Sequence, residues 1–588
     1  MAQHNASTTA AVNGTQPAAA YTVREQPLGT TRHIRIVGVG AGASGLNLIR
    51  TLRLNLSDYE VVVYEKNADV GGTWLENRYP GCRCDVPSHS YQFSWRPKKD
   101  WSNFFSPADE IGEYLCRVCD EEGMRDSIKT EHQVVSAKWN EDDGQWAIGV
   151  RNLQTGEEFE DHATFVVDGS GILNNWRWPD VEGIHDFQGT LIHTARWPKD
   201  FDPSGKTIAV IGNGSTGIQV LPELQPGAKK LHHIIRTPTW VLPPRIQAWK
   251  VMGQASEILE KIQMDTQENF SPETIAKFES DPEFYREFVK KIEVEVNNAF
   301  PIVLVNSKVQ VFARAKVTEY MTAMLGGNEQ LCKALIPDFP LGSRRMTPGH
   351  GYLLALTKPN VSIHRSSIRR FLPDGIELST GEVLHGIDAI VCATGFDTSF
   401  CPRFPIVGRG GENLQDRWRT TTPKAYLSCA VPSMPNYFTF LGPNAPIGHG
   451  SVFTLSEHIA KYIVGVIRKC QTEGIKAIAP SQAAVDDYFE HITAFMPRTA
   501  WAAKEGGCRS WFKNGTVDGP VTALHPGSRI HFFHMLERFR GEDWEYVYEG
   551  EGKKRNRFAY LGNGFSTKEL DPKVDSTWYL DEPATVRW

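Results

Sequence analysis

The sequence lacks a disulfide framework, a large excess of either charge, and any apolar run of membrane-spanning length. A spanning helix needs about 20 consecutive apolar residues, so no membrane partner is expected. The ten cysteines have no regular spacing, which argues against a disulfide scaffold and for a reducing, cytoplasmic setting. The single CxxC, Cys116 and Cys119, lies in IGEYLCRVCDEEGM, which reads as helix. With no second pair, no metal site is expected. A net charge of −6 over 588 residues gives no general attraction to nucleic acid or anionic lipid. Residues 1–30 contain neither a basic leader nor an apolar core, so they read as a disordered tail and no secretory signal. Glycosylation triplets occur, but Asn213-Gly-Ser lies in a glycine loop with no room for a glycan.

What is present is typical of a large globular chain. At 588 residues, several domains are expected, and the 40% hydrophobic and 22% charged content is ordinary. HIRIVGVGAGASGLNLIRTLRL runs from a short strand through glycines into an apolar-periodic helix, and EVVVYE follows as a buried strand ending in Glu65. KTIAVIGNGSTGIQVLPEL and LHHIIRTP repeat the plan. The fold class is therefore α/β, with two Rossmann-like dinucleotide-binding units on doubly wound parallel sheets.

In the first loop, Gly40 allows a tight turn, Gly42 lets a pyrophosphate approach the backbone, and Gly45 lets helix and strand pack closely. The helix N-terminus offers free N–H groups and roughly half a positive charge to the phosphates. Glu65 stands where a carboxylate accepts both ribose hydroxyls. In the second loop, Gly212, Gly214, Ser215, Thr216 and Gly217 play the same parts, but its second strand ends in Arg236-Thr237. An arginine fork suits a 2′-phosphate, so NADPH is expected there over NADH, unless Arg236 simply pairs with a surface carboxylate. The motifs alone do not say which loop holds a flavin. Between residues 246 and 334, Ser271-Pro272-Glu273 and Asp281-Pro282-Glu283 read as helix starts, with Phe284, Phe288 and Ile292 as a buried stripe. This stretch is read as a helical insertion.

Phe187, Gly189, His193, Trp197 and Pro198 occupy every fixed position of F-x-G-x-x-x-H-x-x-x-W-P between the two loops. Gly71-Gly72-Thr73-Trp74 continues through Tyr79-Pro80-Gly81 to Asp85. Together they resemble the two signatures of Baeyer–Villiger monooxygenases. Pro340-Leu-Gly-Ser-Arg344-Arg345 ahead of Gly351-Tyr352 resembles the same family's basic pair, although Leu353 stands where a second aromatic is usual.

The resemblance implies bound FAD on the first unit, NADPH on the second, and a small-molecule ketone and O2 as partners. It implies Arg345 as the catalytic arginine, with Asp85 orienting it and Arg344 near the NADPH phosphate. Gly72, Thr73, Trp74, Asp85 and Tyr91 become flavin-site candidates, with plain core packing as the alternative for Trp74. Asn444, the helix after Gly450 and Trp511 are implied at the cofactors, with core packing again open for Trp511. His193 is read as conformational. The domains implied are 31–175 with 390–545 for FAD, and 176–245 with 335–389 for NADPH. The insertion then covers 246–334, with an unplaced extension at 546–588. A flavin-containing monooxygenase acting on nitrogen or sulfur stays open as the alternative, as does a non-catalytic nucleotide-binding scaffold. Oligomeric state is not readable.

Overall fold

A computed structural model describes residues 21–244, 254–503, 508–550 and 556–581. Most of the expected N-terminal tail, residues 1–20, lies outside the described residues, as does the start of the insertion. Two parallel sheets of five strands organise the molecule. The first orders Tyr437–Thr439, Phe165–Asp168, Ile34–Val39, Tyr59–Tyr64 and Ile128–Lys129. The second orders Val361–Arg365, Lys230–Ile235, Thr207–Ile211, Ala389–Cys392 and Thr190–His193. Both faces of such sheets are covered by helices, which is why their strands are apolar runs such as VVVY and TIAVI.

Each glycine loop joins a central strand to a helix, Ala43–Asn55 in the first unit and Ser215–Leu224 in the second. The turns need positive φ at Gly40 (91°) and Gly212 (100°). A Cβ on Gly45 would sit 2.2 Å from the Gly40 carbonyl oxygen, and one on Gly217 2.1 Å from that of Gly212. Only glycine lets the helices close onto the strands.

The two chain crossings between the units run side by side, Trp176 bridging Phe396 antiparallel. The strand Ala389–Cys392 lies inside the second sheet, paired with Thr207–Ile211 and Thr190–His193. The return to the first unit therefore starts after Cys392, slightly later than the boundary read from the sequence. A four-stranded sheet (Ile406–Val407, His132–Asn140, Gln145–Asn152, Glu158–Ala163) adds to the first unit.

In the insertion, helices Pro272–Ser280 and Pro282–Asn297 are capped by Ser271 and Asp281. Phe278, Phe288 and Ile292 are fully buried, and Phe270, Phe278, Tyr285 and Phe288 surround the ring of His89 with centroids 5.0–5.4 Å away. The insertion is thus docked on the loop that follows Asp85. At the other end, Trp544–Tyr548 pairs antiparallel with Ile475–Pro480. The extension beyond it reaches the N-terminal segment, where Leu28 N–H donates to the Phe565 carbonyl. Residues 21–30, read as the end of a disordered tail, are held there by that pairing.

Candidate active site

A cleft of about 1100 Å³ runs along the first glycine loop. Gly40, Gly42, Glu65, Gly72, Thr73, Trp74 and Tyr91 all line it. The helix beyond, Ala43–Asn55, has no side-chain cap, so its first N–H groups face the cleft unspent. Gly42 and Gly72 approach so closely that a Cβ on Gly72 would lie 3.2 Å from the Gly42 Cα. Side chains there would fill the floor of the cleft. Glu65 is buried at the end of its strand, accepting from the Ala41 N–H and the Asn67 N–H at 2.8 Å. Burial raises its pKa despite those bonds. Length, bare N–H groups and a ribose-facing carboxylate fit an extended dinucleotide such as FAD.

Trp74 and Tyr91 meet edge to face with ring centroids 5.5 Å apart, and the indole N–H donates to the Tyr91 hydroxyl at 3.3 Å. Beyond Tyr91 lies the charged centre. Arg345 and Asp85 form a two-pronged pair, Nε to Oδ2 and Nη2 to Oδ1, both at 2.5 Å. The Arg345 Nη1 donates to the Ile447 carbonyl at 3.0 Å. The guanidinium plane is thereby fixed from two sides, with 27% of the side chain still reachable. Burial opposes its charge, but Asp85 outweighs burial and holds the pKa above the ordinary arginine value.

Ile447 precedes the helix Val452–Thr472, capped by Ser451, and Val452 lines the cleft, so that N-terminus points into it. Asn444 differs from its reading as a cofactor contact. It is buried, and its amide donates to the Val521 and Leu524 carbonyls at 2.9 and 3.0 Å. Its NH2 group holds that segment, while Gly442 and Pro443 face the cleft.

At the second loop, Gly212, Gly214 and Gly217 open an uncapped helix. The Ser215 hydroxyl meets that of Thr347 at 2.7 Å, and Thr216 lies against the Tyr79 hydroxyl. Tyr79 also donates to Gln219 at 2.8 Å, and a Cβ on Gly81 would lie 2.6 Å from the Gln219 carbonyl. The Tyr79-Pro80-Gly81 segment of the first unit therefore docks on the second loop's helix. Arg236 is exposed at its strand end beside Thr237 and forms no ion pair among the described residues. Arg344 spans the gap, its Nε donating to the Arg509 carbonyl at 2.8 Å and its Nη1 to that of Pro238 at 3.4 Å.

The fingerprint residues sit at the crossing. Phe187 packs into the second unit's core, and a Cβ on Gly189 would meet the Asp388 carbonyl at 2.6 Å. His193 is buried and stacks on Trp176 at 4.8 Å, with Trp178 edge-on at 5.8 Å. Its Nδ1 accepts from the Ala195 N–H, leaving Nε2 to meet the Thr394 hydroxyl at 3.2 Å. Burial pulls its pKa down to about 4, so the ring is neutral at pH 7. Trp197 packs edge-on against Phe201. Trp511 is partly buried against Phe512, 4.6 Å between rings, at the edge of the first unit's core.

Three residues escaped sequence reasoning. Trp176 had only its aromatic character as a signal, and Thr347 none. Lys513, two positions after Trp511, lines the cleft with its ammonium donating to the Val517 carbonyl at 2.6 Å. An isolated lysine carries no pattern that would have marked it.

A cleft along the first glycine loop, a second strand–glycine loop–helix unit of the same build, and a fixed arginine–aspartate pair define a two-nucleotide flavoprotein oxidoreductase. The family profile described as "NAD(P)-binding Rossmann-like domain" matches residues 39–107. The FAD-binding monooxygenase tazF of Aspergillus terreus is 38% identical over 94% of this chain and 95% of its own. A Baeyer–Villiger monooxygenase of Streptomyces coelicolor is 30% identical, covering 86% of this chain and 91% of its own. The solved cyclohexanone monooxygenase from Rhodococcus sp. Phi1 bound to NADP+ superposes with a TM-score of 0.70 at 26% identity, over 88% of this chain and 100% of that one. This chain belongs to the FAD-binding monooxygenases, the family that includes the Baeyer–Villiger enzymes. It is an FAD-dependent monooxygenase that uses NADPH. No helix among the described residues is long and apolar enough to cross a membrane.

Proposed function

We propose that this enzyme inserts one oxygen atom of O2 beside the carbonyl of a small-molecule ketone, giving an ester or lactone and water while NADPH becomes NADP+. The observation that carries this reading is the Arg345 guanidinium, held in plane by Asp85 and Ile447 next to the Trp74–Tyr91 wall of the cleft. The relatives support it by name, one as a Baeyer–Villiger and one as a cyclohexanone monooxygenase. We assign residues 31–175 with the chain after Cys392 to FAD, and the second sheet with its loop to NADPH.

Bound FAD supplies the redox chemistry, taking hydride from NADPH and activating dioxygen. The chain's own residues supply the electrostatics. Attack on a carbonyl by an oxygen nucleophile develops negative charge on oxygen, and a preorganised cation lowers that barrier without reorganising. Arg345 stays charged across the whole working pH range, since its pKa lies above the arginine norm. Asp85 fixes the direction of the fork and occupies two of its five N–H groups, and the Ile447 carbonyl takes a third, which leaves two donors for a reacting oxygen. Glu65 and the bare helix N-termini bind and orient the two cofactors. Neutral His193, stacked between Trp176 and the Thr394 turn, holds the crossing between units and carries no proton in the reaction. The ten free cysteines fit a cytoplasmic setting.

The test is a panel of linear, cyclic and fused-ring ketones with product mass spectrometry on the purified yellow enzyme. Esters or lactones one oxygen heavier than the ketone are expected. The Arg345→Ala variant is expected to lose ester formation by roughly 10²- to 10³-fold while still oxidising NADPH. Oxidation of amines or sulfides alone, or lactone synthesis surviving in Arg345→Ala, overturns the reading.

A further inference from the structure

We infer that Arg509 is a third guanidinium of the site that receives the 2′-phosphate of NADPH, supplied by the late segment of the chain and not by the second nucleotide unit. The inference rests on the reading of the second glycine loop as the NADPH site.

The geometry is built around Arg344. Two of its N–H groups donate to carbonyls on opposite sides, Nε to Arg509 and Nη1 to Pro238. Pro238 lies two residues past Arg236, at the end of the strand Lys230–Ile235. Arg344 therefore pins the Arg509 backbone and the Arg236 turn to each other. Three arginines from three distant stretches of sequence are thereby brought near one another, Arg236 within reach of the Arg509 charge and Arg344 of the Arg236 charge. None of them forms an ion pair among the described residues, although arginines elsewhere in the molecule do so repeatedly. Desolvation lowers the Arg236 pKa with the Arg509 charge adding to it, and burial lowers that of Arg344, opposed by Cys508 and assisted by Arg236.

Like charges gathered with no acid paired to them among the described residues are unfavourable unless an anion joins them. The side chain of Arg509 is exposed, with one contact at 3.5 Å to the Gly515 carbonyl, so most of its five donors remain available. A dianionic phosphate monoester beyond the end of the strand Lys230–Ile235 is the ligand this charge fits. Nicotinamide cofactors without that phosphate would leave the three cations unneutralised.

The probes are 2′,5′-ADP and 5′-AMP, titrated by calorimetry into the FAD-loaded enzyme at fixed ionic strength. Wild type is expected to bind 2′,5′-ADP more tightly. Arg509→Gln is expected to weaken 2′,5′-ADP roughly tenfold, as for one lost charge-assisted hydrogen bond, with 5′-AMP unchanged and Arg509→Lys between the two. Wild-type discrimination in Arg509→Gln overturns the inference. So does an equal loss of both probes, which would mark a purely structural role. Arg236→Gln separates the two levels. If it loses discrimination while Arg509→Gln keeps it, only the Arg509 assignment falls. If neither variant loses it, the phosphate binds elsewhere and the reading of the second loop falls too.

Discussion

At the scale of single residues, the Arg345–Asp85 pair carries the largest consequence. A guanidinium does not lose its proton in this setting, so Asp85 acts on direction and not on protonation. Asp85→Asn keeps the size of the acceptor but removes its charge. It is expected to lower ester formation roughly 10- to 100-fold, the loss of a hydrogen bond between charged groups. NADPH oxidation should continue, so the ratio of product formed to NADPH consumed is the measurement. Unchanged coupling in Asp85→Asn would remove Asp85 from the site. Arg345→Lys keeps the charge but cannot form the two-pronged pair together with the Ile447 bond. Its coupling ratio is therefore expected nearer to Arg345→Ala than to wild type. Both positions lie in motifs that resemble the family's signatures, and the structure brings the two side chains together. Asn444 was legible as a position but not as a role, because nothing local in Gly-Pro-Asn shows that its amide is taken by Val521 and Leu524.

At the scale of elements, the two strand–loop–helix units were readable because each is written in about 30 contiguous residues. The glycine spacing, the apolar strand and the helical period all agree there. The same closeness gives a clean test. Alanine at Gly45 or Gly217 places a methyl about 2 Å from a backbone oxygen, and the helix must move off its strand. Overpacking of this kind costs about 1–3 kcal/mol, and here it falls on one cofactor at a time. Gly45→Ala is expected to purify with depleted FAD, seen in the ratio of absorbance near 450 nm to that at 280 nm. Gly217→Ala should keep its FAD and raise KM for NADPH. Matching losses of FAD in both variants would contradict the separation of the two sites. Elements assembled from distant stretches were not readable. Trp544–Tyr548 pairs with Ile475–Pro480, and Leu28 with the 565–566 turn, and no local pattern encodes either match.

For the whole molecule, stability depends in part on histidines buried uncharged among apolar groups. His89 in the aromatic cage ties the insertion to the first unit, and burial takes its pKa down to about 3. His233, beneath Tyr352 in the second unit, is pulled to about 4, and His525, beside Tyr488, to about 3. In the unfolded chain each returns to the ordinary value near 6.5. Between about pH 6.5 and 4 the unfolded chain therefore binds protons that the native fold refuses. Stability is fully present above 6.5 and falls as the pH drops below it, by up to ~1.4 kcal/mol per pH unit for each such histidine. Melting temperature should thus hold steady from pH 8 to 7 and fall steeply from 6.5 to 5. Replacing His89 by Phe removes one titrating group while keeping a ring in the cage, so its curve should fall less steeply over that interval. A His89→Phe curve parallel to wild type would mean that the ring is not buried neutral where the insertion meets the first unit.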